Sequence, residues 1–376
     1  MDPCINLLRD LVAIDSVNPS LVPGAAGEAN IAAAIAAHMR RIGLDVHVEN
    51  VAPDRPNVIG VLEGPAAGRS LMFCGHVDTV GVEGMDAPFD PQIRSGRLYG
   101  RGAQDMKAGV ASMIDAARLV AERGLPRGRL IVAAVVDEEF ASIGADALAA
   151  AWPADAAVVT EPTDLQVAIG HKGFAWLDIE TTGRAAHGSR PRDGRDAILR
   201  MGRVLHRLEA LDRELQSRAP HPLMGTGSLH ASIIGGGREL SSYPDRCRLQ
   251  VERRTIPGES GELARDEVLR ILGELKIEDP EFEAGAHLTF ARPAYELPAD
   301  HQLPAALVAA ARAVGCSTAT VGMSFWTDAA VLAGAGVPSV LFGPGGAGLH
   351  SIEEYVNVSD VVACRDALTL LARDWW

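Results

Sequence analysis

The sequence lacks the cysteine pairs of a disulfide framework or a thiolate zinc site. Its five cysteines (Cys4, Cys74, Cys247, Cys316 and Cys364) are odd in number and scattered, with no CxxC among them. Reduced thiols are therefore expected. Basic charge is also short: 35 Lys+Arg against 49 Asp+Glu leave a net charge of −14. That argues against nucleic acid as a partner, which needs a basic stripe, and against docking on an anionic membrane surface. No apolar run approaches the roughly 18 residues of a membrane helix. The first residues, Met1-Asp2-Pro3-Cys4-Ile5-Asn6, have neither the basic n-region nor the apolar h-region of a signal peptide. A soluble cytoplasmic protein is expected. Internal repeats, low-complexity tracts and long Gly/Ser linkers are missing as well.

What is present is the composition of a folded enzyme-sized chain. Of 376 residues, 47% are apolar and 22% charged, enough to bury a large core without disulfides. Helical spacing marks 5–14 and 27–42, with Gly43 as a stop. Short apolar runs at 57–62, 70–74, 130–136 and 156–160 read as buried strands, and 107–123 as a helix between two of them. This alternation predicts an α/β class with a mostly parallel central sheet. From 172 to about 289 the texture changes to alternating strands, such as 176–180 and 247–252, with helical stretches at 194–217 and 260–275. This reads as an inserted α+β domain, after which a helix at 304–314 and a strand at 337–342 resume the first pattern. The expected division is 1–171 with 290–376, and 172–289. Residues 172–290 hold 18 basic and 19 acidic side chains, so the acidic surplus lies in the outer segments.

Five clusters of chemistry-bearing residues sit beside these elements. Gly75-His76-Val77-Asp78-Thr79 follows an apolar strand, and a His-x-Asp spacing lets Asp78 hold one ring nitrogen of His76 while the other binds a metal. Gly100-Arg101-Gly102-Ala103-Gln104-Asp105-Met106-Lys107 joins a glycine-rich loop to a helix start, where Asp105 could simply cap the helix. Asp137-Glu138-Glu139 ends a buried strand, where three carboxylates are unfavourable unless paired or metal-bound. Thr160-Glu161-Pro162-Thr163 ends another. His350 follows the glycine run 343–348. Taken singly, each has a plain structural explanation. Together, two histidines and three carboxylates without thiolates suit Zn²⁺, with Mn²⁺ or Co²⁺ as substitutes. Five ligands are too many for one tetrahedral site and suggest two ions sharing a carboxylate.

This ordered set resembles the di-zinc aminoacylase/carboxypeptidase family, which includes acetylornithine deacetylase, succinyl-diaminopimelate desuccinylase and glutamate carboxypeptidase. The likeness also takes in Leu8-Arg9-Asp10-Leu11-Val12, Ser16-Val17-Asn18-Pro19 and Phe342-Gly343-Pro344-Gly345, so it runs nearly end to end. It implies that His76 and Glu161 bind one zinc, Glu139 and His350 the other, and that Asp105 bridges both. It implies that Asp78 orients His76 and that Glu138 is the general base. The segment 172–289 becomes a lid and dimerisation domain. The resemblance implies that His187 of this segment, in Gly183-Arg184-Ala185-Ala186-His187-Gly188-Ser189, reaches the partner subunit's site and helps hold the oxyanion. Arg254, beside Arg253, aligns with an arginine that clamps the substrate's carboxylate. Ser241 stands where the family usually has Asn. The implied activity is amide hydrolysis of a small N-acyl amino acid, most like acetylornithine deacetylase, by a homodimer. A desuccinylase, dipeptidase or carboxypeptidase is the alternative.

Three other readings compete. The run 343–348 fits GxGxxG after a strand, as in a nucleotide-binding oxidoreductase, but Pro344 and the missing helix–strand unit argue against it. Cys74 beside His76 could serve a cysteine hydrolase, though a cysteine closing an apolar strand reads better as buried and structural. A metal-binding protein without catalysis is the third.

Overall fold

A computed structural model describes residues 2–298 and 300–376. The chain forms two compact units. One is the chain up to Ile169 with Leu297–Val321 and Thr327–Trp376; the other is Gly170–Glu296 with Gly322–Trp326. Against the expected 172–289, the second unit starts earlier, runs on to Glu296 and takes in a further short segment.

The first unit is built on a mixed sheet. Its strands lie in the order Asp45–Ala52, Arg55–Glu63, Arg129–Val135, Ser70–His76, Ala157–Val159, Ser339–Leu341 and the first three residues of Val167–His171. The middle four run parallel, and the flanking pairs are antiparallel. The fold is α/β with a parallel centre. The continuous apolar runs are explained by burial on both faces: Leu71, Met72, Phe73, Leu130, Ile131 and Val132 are all fully buried. Because the middle strands are parallel, their C-terminal ends emerge at one edge. His76, the turn at 137–139 and Glu161 therefore arrive together, where α/β sheets place their sites.

Helices cover this sheet. Pro3–Val12 begins with Pro at its first turn, and the Asp2 carboxylate accepts from Cys4 N at 2.8 Å. The helix expected from Lys107 begins at Ala108 and ends at Gly124, after one wide turn over Ala103–Lys107. Asp105 does not cap it: its backbone is non-helical (φ −110°, ψ 97°) and no side chain caps the helix. The carboxylate is thereby free for the site. The elements that went unread in the sequence include the strand Asp45–Ala52, the helix Ile143–Ala151 and two more. One is the last helix, Val358–Asp374. The other is a small sheet in the order Gly346–Ala347, Tyr355–Asn357, Arg97–Tyr99 and Gln92–Arg94, which joins the segment around His350 to the loop before Asp105.

The second unit is a four-stranded antiparallel sheet in the order Ser228–Gly236, Arg246–Thr255, Gly173–Thr182 and Glu283–Arg292. Two helices, Ala197–Ser217 and Gly261–Glu278, are capped by the side chains of Asp196 and Ser260. Their apolar stripes (Met201, Val204, Leu208 and Val268, Ile271, Leu275) pack on Leu177, Ile179, Leu249 and Val251.

Candidate metal centre

His76 is the last residue of its strand, and its ring is almost wholly buried. Nδ1 lies 3.0 Å from the Asp78 carbonyl and 3.5 Å from its carboxylate. Nδ1 therefore carries the proton, leaving Nε2 to face the cluster. Nε2 is 3.1 Å from Asp105 Oδ1 and 3.9 Å from both Glu138 and Glu161. On the other side of Asp105, His350 Nε2 lies 3.3 Å from Oδ2 and 3.1 Å from Glu139 Oε2. The structure thus brings together His76, Asp105, Glu138, Glu139, Glu161 and His350, with Asp105 between the two histidines. Donor atoms of His76, Asp105 and Glu139 lie within 4.8 Å of one another, as do those of His76, Glu138 and Glu161.

The electrostatics of this cluster are those of a cation site. Burial pushes the carboxyls of Glu138 and Glu161 well above the usual range, and the Glu139 carboxyl to about 7 with help from the Asp105 charge. For Glu138 and Glu161, His76 offsets part of this, and Asp328 adds repulsion. His350 is raised to about 10 by its bonds to Asp105 and Glu139. Glu139 Oε1 is buried with no hydrogen-bond partner among the described residues. Four clustered carboxylates and an orphaned oxygen, balanced only by two imidazoles, are unfavourable unless divalent cations join them. Nitrogen and oxygen donors without sulfur suit zinc, manganese or cobalt. The residues fit such ions.

A buried network supports the ligands from behind. The Asp78 carboxylate accepts from Asn18 Nδ2 at 2.8 Å and from the backbone N–H groups of Glu138 and Glu139 at 3.1 and 3.2 Å. Asn18 Nδ2 also reaches Asp137 at 3.1 Å, and the Arg55 guanidinium links Asp137 at 2.8 Å with Glu28 and Asn18. Asp78 thus fixes His76 and the carboxylate turn together.

The other sequence-derived residues lie in the second unit. His187 is exposed on a loop, with Nδ1 2.8 Å from Ser189 Oγ. Gly188 N donates to the Ser241 carbonyl at 2.7 Å, so the segment with serine in place of the expected asparagine is paired with the histidine loop. Arg253 is buried and bound to Glu259 and Glu267 at 3.0 and 3.2 Å. Arg254 is half-buried, bound to Glu252 at 2.6 Å and stacked over Phe174 at 5.6 Å. Of the two arginines, only Arg254 keeps an accessible guanidinium.

The competing motifs dissolve. No helix opens after 343–348; Gly346–Ala347 is a strand instead. A Cβ at Gly343 would stand 2.3 Å from the Glu161 carbonyl, so glycine there serves close packing beneath a ligand rather than a phosphate. Cys74 is fully buried, and burial pushes its thiol well up, away from nucleophilic use.

The pattern of peptidase family M20/M25/M40 matches residues 72–374. The chain belongs to this family. Like its other members it is a metal-dependent hydrolase of the metallopeptidase and amidohydrolase type. Acetylornithine deacetylase of Myxococcus xanthus is 33% identical, over 96% of this chain and 94% of that one. The N-formyl-4-amino-5-aminomethyl-2-methylpyrimidine deformylase of Bacillus subtilis is 29% identical, over 90% and 88%. Among M20 structures, the YXEP protein of Bacillus subtilis, described as a dinuclear metal binding peptidase, superposes with a TM-score of 0.74 at 16% identity, over 98% and 96%. The network around the cluster also includes residues that sequence reasoning gave no role: Glu28, Arg55, Asp328 and Glu354. Glu354 stands in the segment that follows His350, but its partner Arg101 is 253 positions away, so local spacing gave it no role.

Proposed function

We propose that this M20 hydrolase removes the acyl group from a small N-acyl amino acid, with two zinc ions per subunit. The observation that carries the reading is the convergence of two histidines and four carboxylates on one edge of a parallel sheet. His76 and Glu161 would hold one cation, Glu139 and His350 the other, with Asp105 shared. Such ions polarise a scissile carbonyl and lower the pKa of water toward about 7. Glu138 takes a proton from the attacking water as its oxygen adds to the acyl carbon. When the C–N bond breaks, Glu138 passes that proton to the leaving amine. Asp78 keeps the proton of His76 on Nδ1 throughout. Arg254 offers a planar guanidinium to the substrate's free carboxylate. In a cytoplasmic homodimer joined through the second unit, the partner's His187 would donate to the oxyanion.

The Myxococcus xanthus relative favours N-acetylornithine. The deformylase relative favours a second reading, loss of a formyl group from an aminopyrimidine, a substrate that leaves Arg254 without a carboxylate to bind. The test is hydrolysis by chelator-stripped protein with Zn²⁺, Co²⁺ or Mn²⁺ restored. The panel holds N-acetylornithine, N-succinyl-diaminopimelate, other N-acetyl amino acids, dipeptides and the formylaminopyrimidine. Metal-dependent turnover of an N-acyl amino acid is expected. Turnover of only the pyrimidine would replace the first reading with the second, and turnover without metal would end both.

A further inference from the structure

Glu354 is an acid that the reaction does not use, yet its side chain is completely buried. It is not aimed at the cation cluster. Its carboxylate accepts four hydrogen bonds: from Gly102 N at 3.0 Å, Gln104 N at 2.8 Å, Asp105 N at 3.0 Å and the Arg101 guanidinium at 2.7 Å. Three of the donors are backbone amides of the loop that presents Asp105. The fourth, Arg101, also donates to the Ser351 carbonyl at 2.9 Å, next to His350. The Glu354 carbonyl accepts from Gly100 N at 3.2 Å, which closes the same junction from the other side.

The small sheet pairs Tyr355–Asn357 with Arg97–Tyr99 beside these two loops, and the Glu354 carboxylate carries the link onto the Asp105 loop itself. Asp105 lies in a non-helical stretch. His350 has a left-handed backbone (φ 58°), and its side chain is 55% exposed. His76 and Glu161, by contrast, sit at strand ends that Glu354 does not touch. A buried carboxylate with four donors is a strong, directional anchor, and removing its charge leaves several donors unsatisfied.

We infer that Glu354 is a positioning residue for the cation held by Glu139 and His350: it staples the Asp105 loop to the His350 segment and so sets the geometry of that site in preference to the one at His76 and Glu161. The inference rests on the two-cation reading above. It makes the affinities of the two sites separable, which no direct ligand substitution at the shared Asp105 could do.

The test is a Co²⁺ titration of the stripped full chain, followed by visible absorption and calorimetry, for the native protein and for Glu354→Gln. The native chain is expected to take two equivalents. The variant is expected to keep one at native affinity and to bind the second roughly 10–100-fold more weakly, the usual effect of losing a partner behind a metal ligand. Equal affinities in variant and native protein overturn the inference, as does equal weakening of both equivalents, which a general packing role would produce. A native chain that takes fewer than two equivalents overturns the two-cation reading and this inference with it. If Glu354→Gln fails to fold, Arg101→Lys replaces it. That change keeps a cation beside Glu354 but breaks the link to the Ser351 carbonyl. A smaller loss confined to the second equivalent supports the staple, and none overturns it.

Discussion

Asp78 shows how a residue's task can exceed what its spacing suggests. The His-x-Asp pattern points to a carboxylate holding His76, yet the shorter contact to Nδ1 is the Asp78 carbonyl, at 3.0 Å. The carboxylate spends its capacity on Asn18 and on the amides of Glu138 and Glu139. It therefore aims the turn that carries both a ligand candidate and the proposed base. Glu138 lies in the same donor group as Glu161, so one substitution distinguishes base from ligand. Glu138→Gln is expected to lower kcat roughly 10²–10⁴-fold while two metal equivalents remain bound. Loss of one equivalent together with activity would make Glu138 a ligand instead.

Among elements, the helix Ala108–Arg123 is held against the strand end bearing Glu161 by the absence of a side chain. A Cβ at Gly109 would stand 2.0 Å from the Thr160 carbonyl oxygen. Helix propensity alone favours alanine there by about 1 kcal/mol. Overpacking against rigid backbone costs about 1–3 kcal/mol and wins. Gly109→Ala is therefore expected to lower the melting temperature and, by displacing the residue next to Glu161, to weaken metal binding. A calorimetric scan showing an unchanged or higher Tm would refute this packing argument. The same helix illustrates partial legibility: its apolar spacing and its stop at Gly124 are local and readable, whereas the wide turn before it, which turns Asp105 into the site, is not.

At the scale of the whole molecule, two expectations concern assembly and pH. The strand Ser228–Gly236 is at an edge of its sheet and exposes Ile233 and Ile234, both more than half accessible. An exposed apolar edge invites pairing with a second copy. Sedimentation is expected to give about twice 39.6 kDa for the two-fold assembly that is commonest among oligomers. Ile234→Lys should shift the protein toward monomer; a native monomer would remove the homodimer from the proposal. The pH expectation concerns His171, which is buried in the second unit against the rings of Tyr295 and Trp326. Burial lowers its pKa to about 4 from an ordinary 6.5. The unfolded chain therefore takes the proton first. The stability His171 contributes is present above about pH 6.5 and is lost as pH falls toward 4, by about 2–3 kcal/mol near pH 4.5. In His171→Phe the stability difference between pH 7 and 4.5 should shrink by that amount in urea titrations. An identical pH dependence in native and variant protein would refute it.

The sequence by itself determined the α/β class, the apolar strands and the six residues of the candidate centre, because each of these is written in short stretches. A strand buried on both faces must be continuously apolar, and a ligand at its end follows within a few positions. Apart from Asp78, which the His-x-Asp spacing already set beside His76, tertiary structure decided which residues hold those six in place. Arg101 and Glu354 are 253 positions apart, and Asn18 and Asp137 are 119 apart. A buried charge needs a partner from wherever the fold can supply one, and in a parallel sheet with long crossovers that partner comes from a distant part of the chain.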